Sequence, residues 1–107
     1  MKGCLLRFYM QENRKHGHIL LYEWLLEQAK QIGIHGGSAF RAIAGFGRHG
    51  KLHEQHFFEL AGDLTVTVEF LLSDDEAQKL LDLVAREQVR VFYAKSSAEF
   101  GMTEGTD

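Results

Sequence analysis

The feature of this chain that most constrains its fold is a hydrophobic period that changes sharply at residue 73. Residues 64–72 alternate between apolar and polar side chains, which is typical of a strand with one buried face. Ser73 follows at once, and Glu76 stands three positions later. A serine and a glutamate at this spacing form a capping box, which starts a helix. The sequence therefore predicts a strand that passes directly into a helix.

The same two periods predict three more strands and one more helix. Residues 4–10 and 38–47 alternate, and residues 89–94 are β-branched and aromatic, so each segment is predicted to be a strand. Apolar residues at helical spacing predict a helix over residues 19–32. The order of elements is then β-α-β-β-α-β. One hairpin and two helical crossovers on a single four-stranded sheet define an α+β ferredoxin-like sandwich.

The length and composition predict a single domain. The chain has 107 residues, of which 45% are apolar, and this is enough to fill one core. We expect the domain to cover residues 1–95 and the small, polar and acidic residues 96–107 to form a loose C-terminal tail. Residues 47–63 show no clean period and are predicted to form a long loop between the second and third strands. An exposed sheet edge in so small a fold favours self-association, so we expect a homo-oligomer.

Charge and cysteine content exclude several kinds of function. With 12 basic and 15 acidic residues, the formal net charge is −3, which gives none of the basic surface that duplex nucleic acid selects. The single cysteine, Cys4, excludes an internal disulfide and a thiolate zinc cluster, and we expect it in the core. Nothing in the sequence predicts a signal peptide or an apolar run of the roughly 20 residues that span a bilayer. The expected compartment is the cytoplasm.

A glycine-rich segment, residues 36–51, carries the densest functional signal. Glycines let a backbone approach a ligand closely and adopt positive φ, so that successive amides converge on an anion. Arg41, Arg48 and Lys51 would add positive charge around such a site. The pattern alone favours a structural interpretation equally, in which the first glycines make a turn and the later ones a bulge before a loop.

The run Gly45-Phe46-Gly47-Arg48 resembles the end of the second strand of the PII signal-transduction proteins, where a similar run precedes a long loop. Residues 32–38 resemble the approach to that strand. A PII-like branch, domain-of-unknown-function family 190, is the nearest in pattern, because it is similar at Leu21-Tyr22-Glu23 and over residues 45–50. The resemblance extends to about Ala94.

This resemblance implies a homotrimer with ligand clefts between subunits at the base of the loop. It implies a small anionic effector, with an adenine nucleotide as the candidate, and names no other cofactor. It also implies a mobile loop that docks onto a partner such as a membrane transporter or an enzyme. The residues that match the site are Gly45, Phe46, Gly47, Arg48, His49 and Gly50, to which the charge pattern adds Arg41 and Lys51.

The chain departs from the PII pattern at two places. His49 and Gly50 stand where PII proteins carry glutamine and lysine, so the resemblance does not imply 2-oxoglutarate as the ligand. The glycine- and lysine-rich phosphate loop of PII proteins is replaced by residues 85–90, so phosphate contacts at that place are not implied either.

The six histidines of the chain suggest two further hypotheses. His49, His53 and His56 have the spacing of metal ligands on a helix, and a trimer axis would gather one histidine from each subunit. A trimeric divalent-metal-binding protein is therefore the alternative function, although a loop does not align this spacing and solvent-exposed histidines are the simpler interpretation. His16 and His18 precede the first helix, either as ordinary loop residues or as a pair that titrates near neutral pH as a switch.

No catalytic constellation is predicted. Catalysis needs a nucleophile beside a base, or carboxylates whose pKa values are pushed apart. Glu54, Glu59 and Asp63 lie in a polar segment with no partner fixed by spacing. Asp74 and Asp75 are explained by the start of a helix, where negative charge is favoured. We therefore expect a binding protein and not an enzyme.

Overall fold

The computed structural model describes residues 1–46 and 64–106, in which a four-stranded antiparallel sheet packs against two helices. The strands of this sheet are β1 (Lys2–Gln11), β4 (Ser38–Arg41), β5 (Thr65–Leu72) and β6 (Phe92–Glu99). The helices are α1 (Leu21–Gln31) and α2 (Asp74–Arg86), and a small hairpin is formed by β2 (Lys15–His16) and β3 (Ile19–Leu20). Within these described ranges no helix has the length and apolar character needed to cross a bilayer.

The sheet has the order β4-β5-β1-β6, with antiparallel pairing between neighbours. Cys4 of the central strand β1 pairs with Leu72 of β5 on one side and with Ser97 of β6 on the other. Each helix connects two strands that are separated by a third strand. This is the ferredoxin-like arrangement, and the predicted fold class is confirmed.

The alternation of the strands divides the sheet into a closed face, which packs on both helices, and an open face on the opposite side. Even-numbered side chains of β1 and β5 lie on the closed face and are buried: Cys4, Leu6, Phe8, Met10, Val66, Val68, Phe70 and Leu72. The helices cover them with Leu21, Trp24, Leu25 and Ala29 from α1 and with Ala77, Leu80, Leu83 and Val84 from α2. Burial raises the pKa of the Cys4 thiol, and nearby Asp74 acts in the same direction, as expected for an inert core cysteine.

The predicted capping box at the start of α2 is confirmed. The Ser73 hydroxyl accepts a hydrogen bond from the Glu76 amide at 3.1 Å, and the Glu76 carboxylate accepts one from the Ser73 amide at 2.9 Å. Two amides that a helix cannot satisfy internally are thereby satisfied. The strand β5 ends one residue before this cap, so the sheet and the helix are joined without a loop.

In the first half of the chain, the start of α1 and the end of β4 do not lie where the sequence predicts them. Helix α1 begins at Leu21 and not at residue 19, because Ile19 and Leu20 pair with β2 in the small hairpin. Strand β4 ends at Arg41 and not at residue 47. Pairing with β5 defines β4, whose own four residues are exposed, and in the described residues this pairing ends at Arg41 and Val66. The alternation of the residues that follow Arg41 does not by itself extend the strand.

The last strand lies nearer the C-terminus than predicted. Val89 and Val91, taken as its start, pack against the core from the connection between α2 and β6. Residues 96–99 continue β6 and pair with residues 2–5 of β1. Backbone hydrogen bonding to residues 2–5 of β1 decides this end of the strand, and it does not depend on apolar side chains. Residues 96–99 therefore belong to the sheet and not to the predicted tail.

Candidate functional site

The root of the β4–β5 connection is held by backbone hydrogen bonds to two neighbouring segments. Arg41, the last residue of β4, pairs with Val66 of β5. Beyond it the Ala42 amide donates to the Thr65 carbonyl at 2.8 Å. On the other side of β5, the Glu12 amide donates to the Leu64 carbonyl at 2.9 Å. Ala42 and Leu64 are therefore both anchored at one corner of the sheet; segment 47–63 lies outside the described residues.

An ion pair crosses this root from strand β4 to the end of β1. The Arg41 guanidinium donates a hydrogen bond to the Glu12 carboxylate. This hydrogen bond and the negative charge of Glu12 raise the pKa of Arg41. The Arg41 side chain is nevertheless 62% exposed, so its remaining donors are accessible. Arg41 is predicted to supply positive charge to an anionic ligand. Part of that charge is already paired with the Glu12 carboxylate.

The other predicted site residues divide into two sets. Gly45 and Phe46 follow β4, and the Phe46 side chain is 80% exposed. The second set lies outside the described residues: Gly47, Arg48, His49, Gly50 and Lys51, together with His53 and His56 of the metal hypothesis. Across the parts of the chain that the structure describes, no three His, Cys, Asp or Glu side chains are grouped as metal ligands.

A surface depression lies beside the start of β4, at the opposite end of that strand from Arg41. Its lining combines glycine backbone, apolar side chains and one carboxylate: Leu5, Gly36, Gly37, Ser38, Phe40, Glu69, Phe70 and Leu71. Gly37 is required there, because a Cβ at this position would lie 2.5 Å from a ring carbon of Phe70. The backbone at Gly37 therefore lies in close contact with Phe70, and neither Gly36 nor Gly37 has a side chain that could cover the depression.

A second ion pair lies on the open face next to this depression. Arg7 and Glu69 are directly opposite each other on β1 and β5, and the Arg7 Nε donates to the Glu69 Oε2 at 2.7 Å. The hydrogen bond to Glu69 raises the pKa of Arg7, and a side-chain hydrogen bond with Tyr9 acts in the same direction. The side chains are 42% and 28% exposed, so both charges remain accessible from the open face.

Apolar side chains surround this ion pair on the open face. Phe40, Leu71 and Phe92 are each about half exposed, at 53%, 52% and 49%. The Tyr9 and Phe92 rings lie 5.5 Å apart between centroids. Within the described residues no helix covers this face, since both helices pack on the other one. An apolar sheet face of this kind is suited to association with another protein surface.

Of the predicted site residues that the structure describes, Arg41, Gly45 and Phe46, none lines the depression. The glycine-rich segment includes Gly36 and Gly37, which do line the depression. The contributions of Leu5, Glu69 and Leu71 were missed because they come from strands far apart in sequence. The available signal was the strand period, since odd-numbered residues of β1 and β5 share one face by register.

Two solved structures of PII-like proteins share the fold of this chain. A PII-like signaling protein of Thermus thermophilus superposes with a TM-score of 0.63 at 17% identity, over 91% of this chain and 87% of its own. CPII from Thiomonas intermedia K12, solved with ADP and bicarbonate, gives a TM-score of 0.61 at 17% identity, over 95% of this chain and 91% of its own. The chain therefore has the ferredoxin-like fold of PII-like proteins.

Sequence relatives then give the family. Residues 3–91 match the model of the DUF190 family, described as uncharacterized ACR. A UPF0166 protein of Aquifex aeolicus (strain VF5) is 32% identical over 101 residues, which are 87% of this chain and 96% of that protein. The UPF0166 protein MJ1524 of Methanocaldococcus jannaschii is 27% identical over 81 residues, 76% of this chain and 74% of that protein. The chain belongs to the DUF190 family, and the resemblance predicted from its motifs is confirmed.

Proposed function

We propose that this protein is a cytoplasmic PII-like regulator, which binds a small anionic effector between the subunits of a homotrimer. Effector binding selects one conformation of the segment between β4 and β5. A partner, such as a transporter or an enzyme, recognises that conformation. The observation that carries the proposal is the depression beside Gly36 and Gly37, because it opens onto the uncovered sheet face. A second subunit packed on that face would turn an open depression into an enclosed cleft.

The lining of the depression favours a flat heterocycle that carries an amino group. Leu5, Phe40 and Leu71 offer apolar surface, and the glycine backbone allows close approach. The Glu69 carboxylate accepts from Arg7 through one oxygen, which leaves the other oxygen to accept from a ligand amine. Adenine meets this description, and the CPII neighbour was solved with ADP and bicarbonate. An adenine nucleotide is therefore the proposed effector.

The phosphate groups of such an effector need positive charge. Arg48 and Lys51 follow the end of β4 opposite the depression, so they are proposed as donors from a neighbouring subunit of the trimer, with Arg41 at the root sharing its charge with Glu12. An effector that contacts one conformation of segment 47–63 better than others shifts the population towards that conformation. A partner that recognises the selected conformation then responds to the effector concentration.

Self-association on the open face follows from its composition. Half-exposed aromatic and aliphatic side chains surround one charged pair, which resembles an interface with an apolar centre and a polar element that sets register. A closed ring of three subunits would bury these side chains and bring a neighbouring chain over each depression. The relatives and neighbours give no support to the metal-binding alternative, so no second function is proposed.

Isothermal titration calorimetry tests ligand binding. ADP and ATP should give heat with the wild-type protein, and Arg48→Ala should lower the affinity at least about tenfold, since charge-assisted hydrogen bonds to phosphate are strong. Lys79→Ala is the matched control, because Lys79 is an exposed cation within α2 and its loss should leave binding as in the wild type. Absence of heat with both nucleotides would contradict the adenine nucleotide assignment.

Sedimentation tests the assembly independently of the ligand. The 12.2 kDa chain should sediment at three times its own mass. A stable monomer at working concentration would overturn the intersubunit site, whatever the calorimetry gives.

A further inference from the structure

The β2–β3 hairpin joins the end of β1 to the start of α1 and was not used in the proposed function. Its strands pair Lys15 with Leu20 and His16 with Ile19. Gly17, with φ of +66°, makes the turn, a conformation that glycine adopts without a steric penalty. The Arg14 carbonyl accepts from the Leu21 amide at 2.7 Å, so the hairpin is fixed to the first turn of α1.

The hairpin also contacts the connection between α2 and β6. The Arg14 side chain donates to the Arg90 carbonyl at 2.6 Å. The His16 Nε2 lies 3.6 Å from the Glu87 carboxylate oxygen. The connection itself turns at Gln88, whose φ of 60° is left-handed, a conformation that non-glycine residues rarely adopt. The side chains of Arg14 and His16 therefore contact a connection that contains a residue in a rarely adopted backbone conformation.

The His16 ring also lies against the only tryptophan of the chain. The centroids of the His16 and Trp24 rings are 4.4 Å apart, with an angle of 56° between the rings. A protonated imidazole at this distance is attracted by the indole ring as well as by the Glu87 carboxylate. A neutral imidazole loses both of these charge-dependent attractions. Because histidine changes its charge between about pH 5 and 8, the strength of the contact depends on pH in that range.

We propose that His16 makes the β2–β3 hairpin a proton-sensitive latch on the α2–β6 connection. When His16 binds a proton, its attraction to Glu87 and Trp24 holds the hairpin on the connection. When the proton leaves, only the Arg14 hydrogen bond and packing contacts remain. The latch therefore tightens as the pH falls through the histidine range and loosens as it rises.

The elements next to His16 carry further titratable and charged groups: Arg14, Lys15 and His18 beside it in the sequence, Glu23, Glu27 and Lys30 on α1, Arg86 and Glu87 at the end of α2, and Arg90 in the connection. Glu87 makes the direct contact, so its removal should have the largest effect.

The latch adjoins the root of segment 47–63. The Arg14 amide donates to the Gln11 carbonyl at 3.1 Å, and Glu12, which pairs with Arg41, lies in the same turn. A hairpin that moves away from the connection would move this turn. Consecutive contacts thus join the latch to the root of that segment.

Tryptophan fluorescence tests the latch directly. Protonated imidazole in contact with indole quenches its emission, so emission should fall as the pH is lowered from about 8 to about 5. His16→Gln should abolish this change, whereas the matched control His18→Gln, which alters the other hairpin histidine, should keep it. Glu87→Gln removes the carboxylate that lies 3.6 Å from the His16 ring, so it should reduce the protection of the connection from hydrogen exchange at the acidic end of the range.

Amide hydrogen exchange of the wild-type protein gives a second measurement that needs no variant. After correction for the intrinsic effect of pH, amides of residues 88–91 should exchange about two- to fivefold more slowly at the acidic end of the range, a modest effect because exposed charge contacts are weak. Emission that does not change with pH, a change that survives His16→Gln, or equal protection of these amides at both pH values would each overturn the latch.

Discussion

The closed and open faces of the same sheet place different demands on the sequence. On the closed face the even-numbered side chains of β1 from Cys4 to Met10 are apolar and at most 5% exposed. On the open face the alternate positions of the same strand include Arg7 and Tyr9 and are partly exposed. One strand thus supplies both the core that holds the fold and the surface that we assign to assembly and binding. The closed face should be sensitive to volume and the open face to charge.

The largest effect is expected from removing a ring on the closed face. Phe8 is fully buried and packs edge to face on Phe70, so Phe8→Ala should lower the free energy of unfolding by about 3–5 kcal/mol. Thr67→Ala, on the open face of β5, should cost less than about 1 kcal/mol. Urea unfolding at one fixed protein concentration measures both. Similar losses for the two variants would contradict the division into faces.

A charge on the open face should affect assembly more than folding. Leu71 is 52% exposed in the single chain, so Leu71→Glu leaves the core intact. In the proposed interface, however, the new carboxylate would be buried without a partner, and dissociation of the assembly should become at least about tenfold easier, or about 1.4 kcal/mol. Sedimentation equilibrium measures this change.

Met102→Glu is the control for that variant, because Met102 is 95% exposed and lies beyond β6. It should leave the assembly unchanged. If Leu71→Glu also assembles as the wild type does, the open face is not the contact between subunits.

Removing the cap at the start of α2 should have a smaller effect on stability. Ser73 lies where β5 leaves the sheet and α2 begins, and Ser73→Ala removes the hydroxyl that accepts from the Glu76 amide. The expected loss of unfolding free energy is about 1 kcal/mol. Ser73→Thr keeps a hydroxyl and should recover most of it, whereas equal losses for both variants would mean that the cap does not contribute.

The closed face was predictable because its signals are local in sequence. The alternation of Val66, Val68 and Phe70, followed by Ser73 and Glu76, fixes a strand and a helix start without knowledge of any partner. Helical spacing likewise predicted the buried face of α1. The order of elements then leaves few topologies, because crossovers follow simple rules. The fold could therefore be predicted from the sequence.

The open face was not predictable in the same way. The Arg7–Glu69 pair joins residues 62 positions apart, and nothing local identifies either as a partner of the other. The hairpin at Lys15–His16 was missed because two-residue strands carry no period. Residues 96–99 were missed because backbone pairing, and not apolar side chains, holds them in β6. Contacts that depend on register become visible only after the fold is known.

The smallest expected effect distinguishes an open face that is solvated from one that is covered. In the Leu71→Glu background, where the face should be free, the Arg7–Glu69 pair is exposed and screened, so Arg7→Gln and Glu69→Gln should show weak coupling that declines in about 1 M salt. In the wild-type assembly a neighbouring subunit would exclude water from the pair, and the coupling should become stronger and less sensitive to salt. Double-mutant cycles of urea unfolding at low and high salt measure both. Equal coupling in the two backgrounds would mean that the pair stays in water, and the open face would then have no subunit against it.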